Sequence, residues 1–185
     1  MIVLVGPSAS GKSSVAKYIA DHSDYKQIVT YTTRPMRDGE VDGVDYHFVS
    51  LSDFESMKNK NFFLEVAEYN NWWYGSAKID YTPDKIAVLT PKGLRKLKLE
   101  SPKIGLFSSF LIFTKRRNRL IKMLERGDDI EEAYRRNISD VGMFDGVEDE
   151  VDCVIHNDNY EKSVAKVGEE ILRWANRGRY TQQEG

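Results

Sequence analysis

Apolar residues along the chain fall into short runs that alternate with amphipathic stretches. The runs predict buried strands at residues 2–5, 86–89, 104–113 and 152–155. Apolar positions at helical spacing predict helices at about residues 13–22, 90–99, 114–126, 128–144 and 160–176, and the polar residues 177–185 predict a frayed end. Because strands alternate with helices, we expect a parallel α/β sheet with helices on both faces.

A stretch in the first half of the chain interrupts this alternation. Ser52 followed by Glu55 is typical of a capping box, which predicts a helix that begins there. The other predicted elements are strands at 27–31, 46–49 and 62–69, a polar loop at 32–44 and an aromatic-rich turn at 70–76. We interpret the strand, helix and strand of residues 46–69 as a lobe inserted into the sheet domain.

The first predicted strand runs into the segment G-P-S-A-S-G-K-S, which begins at Gly6 and fits the P-loop pattern G-x-x-x-x-G-K-[ST]. Gly6 and Gly11 permit backbone angles that turn successive N–H groups towards phosphate oxygens. Lys12 is suited to reach the β- and γ-phosphates, and the Ser13 hydroxyl is suited to ligate Mg²⁺. The segment therefore predicts a nucleotide site, whose phosphate contacts we expect at Gly6, Ser8, Ser10, Gly11, Lys12, Ser13 and Ser14.

Composition and charge limit the class of protein further. A chain of 185 residues fits one domain, and a formal net charge of −2 excludes a strong general attraction to nucleic acid or anionic membranes. The single cysteine, Cys153, cannot close an internal disulfide, and no apolar run is long enough to span a membrane. Since Met1 leads directly into the first strand, no signal peptide is expected. We expect a cytoplasmic protein; the sequence leaves its oligomeric state open.

Several polar side chains of the interrupted region are candidates for a second binding site. Arg34 and Arg37 lie three residues apart beside Pro35, where both could converge on one phosphate, but two solvated loop arginines are an alternative. Tyr46 and Tyr74 either donate hydrogen bonds through their hydroxyl groups or pack in an aromatic cluster. Glu65 lies in an apolar segment and needs a partner, which is either a structural arginine or the donor edge of guanine.

Three motifs in order resemble the guanylate kinase family. They are G-P-S-x-S-G-K-S from Gly6, T-T-R-P-x-R-x-G-E-V-D-G-x-D-Y-x-F-V-S from Thr32, and F-x-E-x-A-E-x(5)-Y-G-S from Phe63. The likeness is dense over residues 2–78, thin over 79–113, and returns from about Arg119 to the end. It implies a three-layer α/β P-loop NTPase fold with a central parallel sheet. It also implies one domain, with a core at about 1–32, 82–126 and 145–178, a GMP-binding lobe at about 33–81 and a helical lid at about 127–144.

The resemblance also implies an activity and the residues that carry it. The activity is direct in-line transfer of a phosphoryl group from ATP to GMP, and to dGMP, with Mg²⁺. Arg34, Arg37, Tyr46 and Tyr74 would hold the phosphate of GMP, and Glu65 would recognise guanine with help from Ser76 and Thr30. Lys12, Arg34, Arg126 and Arg136 would be the catalytic residues. The turn at Asn157 and Asp158 would contact adenine.

Two positions depart from the family pattern. Where the family has L-D-x-D-x-x-G, this chain has Leu89 followed by Thr90, Pro91, Lys92 and Gly93, which is two residues shorter and has no carboxylate. We expect this segment, in which Thr90 is predicted to cap the following helix, to weaken catalysis and base discrimination. A family arginine of the lid falls on Asn137, and a shift of one residue would give its role to Arg136 rather than Arg135.

Two other functions remain alternatives at this point. One is a related P-loop kinase that acts on a different small phosphorylated substrate. The other is a binding module similar to the guanylate kinase-like domains of scaffold proteins, which hold phosphopeptides with the GMP lobe. The intact Gly11-Lys12-Ser13 argues against the binding module, because such a module does not need a triphosphate site.

Overall fold

The structure is a computed structural model that describes residues 1–69 and 71–180. The strands are β1 (Ile2–Val5), β2 (Lys26–Gln27), β3 (Tyr31–Thr32), β4 (His47–Phe48), β5 (Phe63–Tyr69), β6 (Trp72–Ala77), β7 (Lys85–Leu89), β8 (Ser108–Phe113) and β9 (Cys153–His156). The helices are α1 (Lys12–Asp21), α2 (Leu51–Asn59), α3 (Pro91–Ile104), α4 (Arg116–Glu125), α5 (Ile130–Ser139) and α6 (Val164–Tyr180).

A five-stranded parallel sheet in the order β2-β7-β1-β8-β9 forms the centre of the molecule. Every residue of β1 is buried, which agrees with its unbroken apolar run. Since the carboxyl ends of parallel strands meet at one edge, the loops after β1 and β7 lie side by side there. The predicted parallel α/β fold is therefore confirmed.

Helices cover both faces of this sheet, which gives the three layers. On one face, α1 and α6 pack through Val15, Ile19, Val167 and Ile171. On the other face, α3 packs through Leu94 and Leu97, together with Leu64 from β5. The contact of Leu64 with this second core anchors the neighbouring lobe to the sheet domain.

A second, four-stranded sheet in the order β4-β3-β6-β5 forms this lobe. The predicted single strand at 27–31 is wrong, because β2 joins the central sheet whereas β3 joins the lobe. The predicted turn at 70–76 is wrong for 72–76, which belong to β6. Asn71 does lie in a turn, in the left-handed conformation with a φ of 60°, and residue 70 lies outside the described residues. Aromatic side chains have high strand propensity, so Trp72, Trp73 and Tyr74 continue the hairpin.

Several helix boundaries differ from the sequence predictions. Ser50, not Ser52, caps α2, because its hydroxyl accepts a hydrogen bond from the Asp53 N–H at 3.1 Å. Helix α3 extends to Ile104, so strand β8 begins only at Ser108. Left-handed Gly142 and Gly146 make turns after α5, which ends before the predicted residue 144. Helix α6 lies at Val164–Tyr180, so the predicted fraying is wrong for 177–180; its remainder, 181–185, lies outside the described residues.

Candidate active site

The loop between β1 and α1 has the conformation that the P-loop motif requires. Gly11 adopts a φ of 97° and precedes the first residue of α1. At Gly6, which has a φ of 155°, an added Cβ would lie 2.5 Å from the Ile112 carbonyl oxygen. The loop therefore packs against β8 at a distance that only glycine permits, and the amino end of α1 faces the cleft with its positive dipole end.

Lys12, the first residue of α1, lies beside this loop and is partly buried. Its ammonium group donates a hydrogen bond to the Pro7 carbonyl at 2.8 Å. Burial lowers the pKa of Lys12 to about 8, the nearby Asp140 carboxylate acts in the opposite direction, and the Arg119 cation lowers it further. The surroundings of Lys12 thus bring its pKa into the pH range in which enzymes are commonly assayed.

Asp140 links the end of α5 to the P-loop, and sequence reasoning missed it. Its carboxylate accepts hydrogen bonds from the Ser8 N–H at 2.8 Å and from the Arg119 guanidinium at 2.7 Å. Arg119 also donates to the carbonyls of Ser8 at 3.2 Å and Thr114 at 3.1 Å. A loop N–H that already binds a carboxylate is oriented for an anion, so the residues present fit a phosphate group.

The Asp140→Asn variant tests how this carboxylate affects Lys12. Because Asp140 opposes the lowering of the Lys12 pKa, its loss should lower that pKa further below about 8. Lys12 then loses its proton at lower pH, and the alkaline limb of kcat/KM for ATP should move to lower pH by about one unit. Asp129→Asn is the matched control, since Asp129 caps the other end of α5 and asparagine also caps helices. An unmoved limb in a folded Asp140→Asn protein would contradict the expectation.

Arg34 is held rigidly at the edge of the lobe and is only 8% exposed. Its guanidinium donates to Glu40 at 2.6 Å and to the Pro35 carbonyl at 2.7 Å, and it lies 5.3 Å from the centre of the Tyr46 ring. The hydrogen bond to Glu40 is the main cause of a raised pKa of the Arg34 guanidinium, and the Tyr74 side chain adds a smaller contribution. The alternative of a solvated loop arginine is therefore wrong for Arg34.

Arg37 is brought close to Arg34 through a shared carboxylate. The second oxygen of Glu40 accepts a hydrogen bond from the Arg37 backbone N–H at 2.8 Å, while the Arg37 side chain is exposed. Tyr46 and Tyr74 pack edge to face with ring centres 6.0 Å apart. The four predicted phosphate ligands Arg34, Arg37, Tyr46 and Tyr74 thus come together.

Glu65 on β5 faces the first turn of α3. One oxygen of its carboxylate accepts hydrogen bonds from the Thr90 N–H, at 3.1 Å, and from the Thr90 hydroxyl. Burial raises the pKa of Glu65, and the Thr90 bonds and the positive charges of Lys96 and Lys92 oppose that rise. The sequence left a structural arginine or a guanine edge as the partner of Glu65. In the structure Thr90, and not an arginine, donates to the Glu65 carboxylate.

One cavity of about 410 Å³ joins the P-loop to the lobe. Gly6, Ser8 and Lys12 line one end, and Glu65, Tyr74 and Ser76 line the other. Thr30 borders this cavity and also a neighbouring one of about 300 Å³, which extends to Ser13 and Tyr46. Ser76 bonds to the Tyr81 hydroxyl at 2.7 Å in the buried wall between these groups.

The arginines predicted for the lid lie at the end of α4 and on α5. Arg126 pairs with Asp128 at 2.5 Å and lies outside the residues that line the two cavities. Arg136 bonds to Glu132 at 2.7 Å; burial lowers its pKa, and so does the nearby positive charge of Arg37. Arg135 also bonds to Glu132, at 3.0 Å, and lines the larger cavity.

Asn137, which stands where the family has an arginine, is buried and serves a structural contact. Its side-chain oxygen accepts a hydrogen bond from the Arg116 guanidinium at 2.6 Å, and its amide donates to the Arg116 carbonyl at 3.2 Å. It therefore ties α5 to α4.

The predicted adenine turn lies after β9. The side chain of Asn157 bonds to both backbone groups of Lys162, at 3.0 and 2.9 Å, and so closes the turn. Asp158 lies 3.6 Å from the Lys115 ammonium. The neighbouring Tyr160 hydroxyl donates to the Ala9 carbonyl at 2.8 Å, a P-loop contact that the sequence did not suggest. This turn thus adjoins the outer side of the P-loop.

A P-loop that opens into the same cavity as Glu65, Tyr74 and Ser76 is a candidate site for a nucleotide. The chain belongs to the guanylate kinase family. The family profile described as guanylate kinase matches residues 1–173. This result confirms the family that the three motifs indicated.

Individual relatives agree with this assignment. The guanylate kinase of Nitrosococcus oceani is 32% identical over 87% of this chain and 82% of its own length. That of a Nostoc species is 32% identical over 90% and 86%. The crystal structure of guanylate kinase from Anaplasma phagocytophilum superposes with a TM-score of 0.69 at 20% identity, over 96% of this chain and 85% of that one. The last likeness shows the fold.

Two further features are absent from the described part of the chain. Within residues 1–69 and 71–180, no three His, Cys, Asp or Glu side chains are grouped so as to hold a metal ion. No helix in these ranges has the length and apolar character that a membrane crossing requires.

Proposed function

We propose that this protein is a guanylate kinase that phosphorylates GMP, and dGMP, with ATP. The observation that carries the proposal is the single cavity that Lys12 and Glu65 both line. A nucleoside triphosphate at the P-loop and a monophosphate whose base lies at Glu65 would share this cavity, so that the donor and acceptor phosphates face each other. Holding two reactants in this way supplies much of the rate of a phosphoryl transfer.

The lobe cluster is suited to hold the GMP phosphate. Arg34 is fixed in place by Glu40, so little side-chain entropy is lost when it binds two phosphate oxygens. Arg37 and the hydroxyls of Tyr46 and Tyr74 supply the remaining donors. Glu65 would accept from the donors on the guanine edge, with Ser76 and Thr30 beside it.

The chemistry needs alignment and positive charge rather than a general base. The attacking oxygen of GMP is already anionic, and the transferred group carries negative charge spread over its oxygens. Lys12 and the arginines stabilise that charge in a cleft with little water. The Ser13 hydroxyl at the start of α1 would hold Mg²⁺, which when bound neutralises phosphate charge.

We infer the same subdivision of the chain as the sequence suggested, with a lobe at about 33–81 and a lid at about 127–144. Closure of the lid would bring Arg126 and Arg136 towards the phosphates and exclude water. Asn157 and Asp158 would lie against adenine. A cytoplasmic location remains a prediction from the cysteine content of the chain.

The lid arginines give a discriminating prediction. The positive charge of Arg37 adds to burial in lowering the pKa of Arg136, and we infer that Arg136 rather than Arg135 reaches the phosphate cluster of the lobe. We expect Arg136→Met to lower kcat about 10²-fold, whereas Arg135→Met, one residue away on α5, should have a much smaller effect. Equal losses in the two variants, or a larger loss in Arg135→Met, would contradict the assignment.

A steady-state assay of ADP release tests the function. With Mg²⁺ and ATP, the rate should depend on GMP and exceed the rates with AMP, UMP and dTMP. A higher rate with another monophosphate would identify a kinase of different substrate choice. Binding of GMP without turnover of any monophosphate would identify a binding module instead.

A further inference from the structure

The segment that lacks the family's carboxylates makes a specific contact with Glu65. The Thr90 N–H and the Thr90 hydroxyl both donate to the same carboxylate oxygen. The Thr90 hydroxyl at the same time accepts a hydrogen bond from the Gly93 N–H at 3.1 Å, which caps α3. One hydroxyl group therefore joins the first turn of α3 to the carboxylate in the cavity.

Gly93 makes this contact sterically possible. A Cβ added at Gly93 would lie 2.4 Å from the carboxyl carbon of Glu65. Only a residue without a side chain lets the first turn of α3 approach the carboxylate so closely. The carboxylate thus has a fixed backbone wall on one side and two donors on one oxygen, which leaves its second oxygen to other donors.

The charges around Glu65 favour its ionised form. Burial opposes ionisation and is the largest cause of the raised pKa of Glu65, whereas the positive charges of Lys96 and Lys92 on α3 attract the carboxylate and oppose that rise. Glu68 lies on the same strand and lines the same cavity, and Lys58 from α2 lines a separate cavity that Glu65 also borders. An ionised carboxylate only accepts hydrogen bonds, which is what the two N–H groups of a guanine edge require.

We propose that Thr90 is a positioning residue for base recognition, which fixes the orientation of the Glu65 carboxylate that contacts the base. This inference rests on the proposed function and deepens it. It explains how a segment without carboxylates serves the base site: the chain holds one carboxylate firmly by a threonine hydroxyl. Thr90 acts through Glu65 and not on the reacting atoms.

The Thr90→Val variant removes the hydroxyl and keeps the shape of the side chain. We expect kcat/KM for GMP to fall about 10- to 100-fold, the range for a hydrogen bond to a charged group, mainly through a higher KM for GMP. The KM for ATP should not change. Thr90→Ser, which keeps the hydroxyl, should restore the parent behaviour. Ser50→Ala is the matched control, because it removes the cap of α2 without touching Glu65.

A double variant separates this inference from the proposed function. If Thr90 acts through Glu65, Thr90→Val should cost little more in a Glu65→Gln background, so that the two effects are not additive. Fully additive losses, or an unchanged KM for GMP in Thr90→Val, would overturn the inference. If Glu65→Gln alone leaves GMP binding unchanged, the proposed base site itself is wrong.

The pH dependence gives a readout that a purely structural role would not move. Loss of the donor should raise the pKa of Glu65, since the Thr90 bonds oppose the rise that burial causes. The acid limb of kcat/KM for GMP should therefore move to higher pH in Thr90→Val and stay in place in Ser50→Ala. An unmoved limb in Thr90→Val would contradict the proposal.

Discussion

Replacement of Lys12 by methionine should reduce kcat by ~10³-fold or more. Lys12 carries the positive charge that the P-loop brings to the transferred phosphoryl group, and methionine keeps much of its length without that charge. Its ammonium group is held by the Pro7 carbonyl at 2.8 Å, so the charge is already in place before a substrate binds. Preorganised charge in a cleft with little water has a larger effect than the same charge in solvent.

Lys17→Met is the control for this variant. Lys17 lies on the same helix, and its side chain is 73% exposed and pairs with Asp21 at 3.3 Å. Such an exposed pair contributes little, so kcat should stay at the parent value. Thermal unfolding shows whether both variants fold. Undiminished turnover in a folded Lys12→Met protein would contradict the P-loop mechanism.

Replacement of Glu65 by glutamine should remove most of the preference for GMP over AMP. A site that hydrogen-bonds a base edge rejects the wrong base by up to about 10⁴-fold, because its buried polar groups are otherwise left unpaired. The glutamine amide can still accept from Thr90, but it then presents N–H groups to the N–H groups of guanine. We expect the ratio of kcat/KM for the two monophosphates to fall by about 10²-fold or more, with the KM for ATP unchanged.

Glu68→Gln is the matched comparison, since Glu68 lines the same cavity from the same strand. Its loss should leave the ratio of GMP to AMP close to that of the parent protein. Equal changes in the two variants would mean that general negative charge, rather than the position of Glu65, determines base choice.

The features that the sequence predicted correctly are local ones. The P-loop is specified by eight adjacent residues, and its two glycines take the positive φ angles that the motif requires. Thr90 caps the amino end of α3 and Pro91 is its first residue, as the sequence predicted. In each case the determining contacts lie within a few residues of one another, so a single stretch of sequence contains them.

The features that the sequence did not reveal depend on distant parts of the chain. Asp140 binds the P-loop from the far end of α5, and nothing in its own neighbourhood distinguishes it from a solvated helix terminus. Thr90 and Glu65 meet only because α3 packs beside β5. Residues 72–76 of the predicted aromatic-rich turn lie in a strand, because the pairing of β6 with both β3 and β5 outweighs local turn signals.

The most direct test of the central claim is to follow the label from ATP labelled in its γ-phosphate. With GMP present, the account predicts that label appears in the β-phosphate of GDP in step with ADP formation, and that little appears as inorganic phosphate. Label released mainly as inorganic phosphate, or transferred to another monophosphate in preference to GMP, would contradict the account.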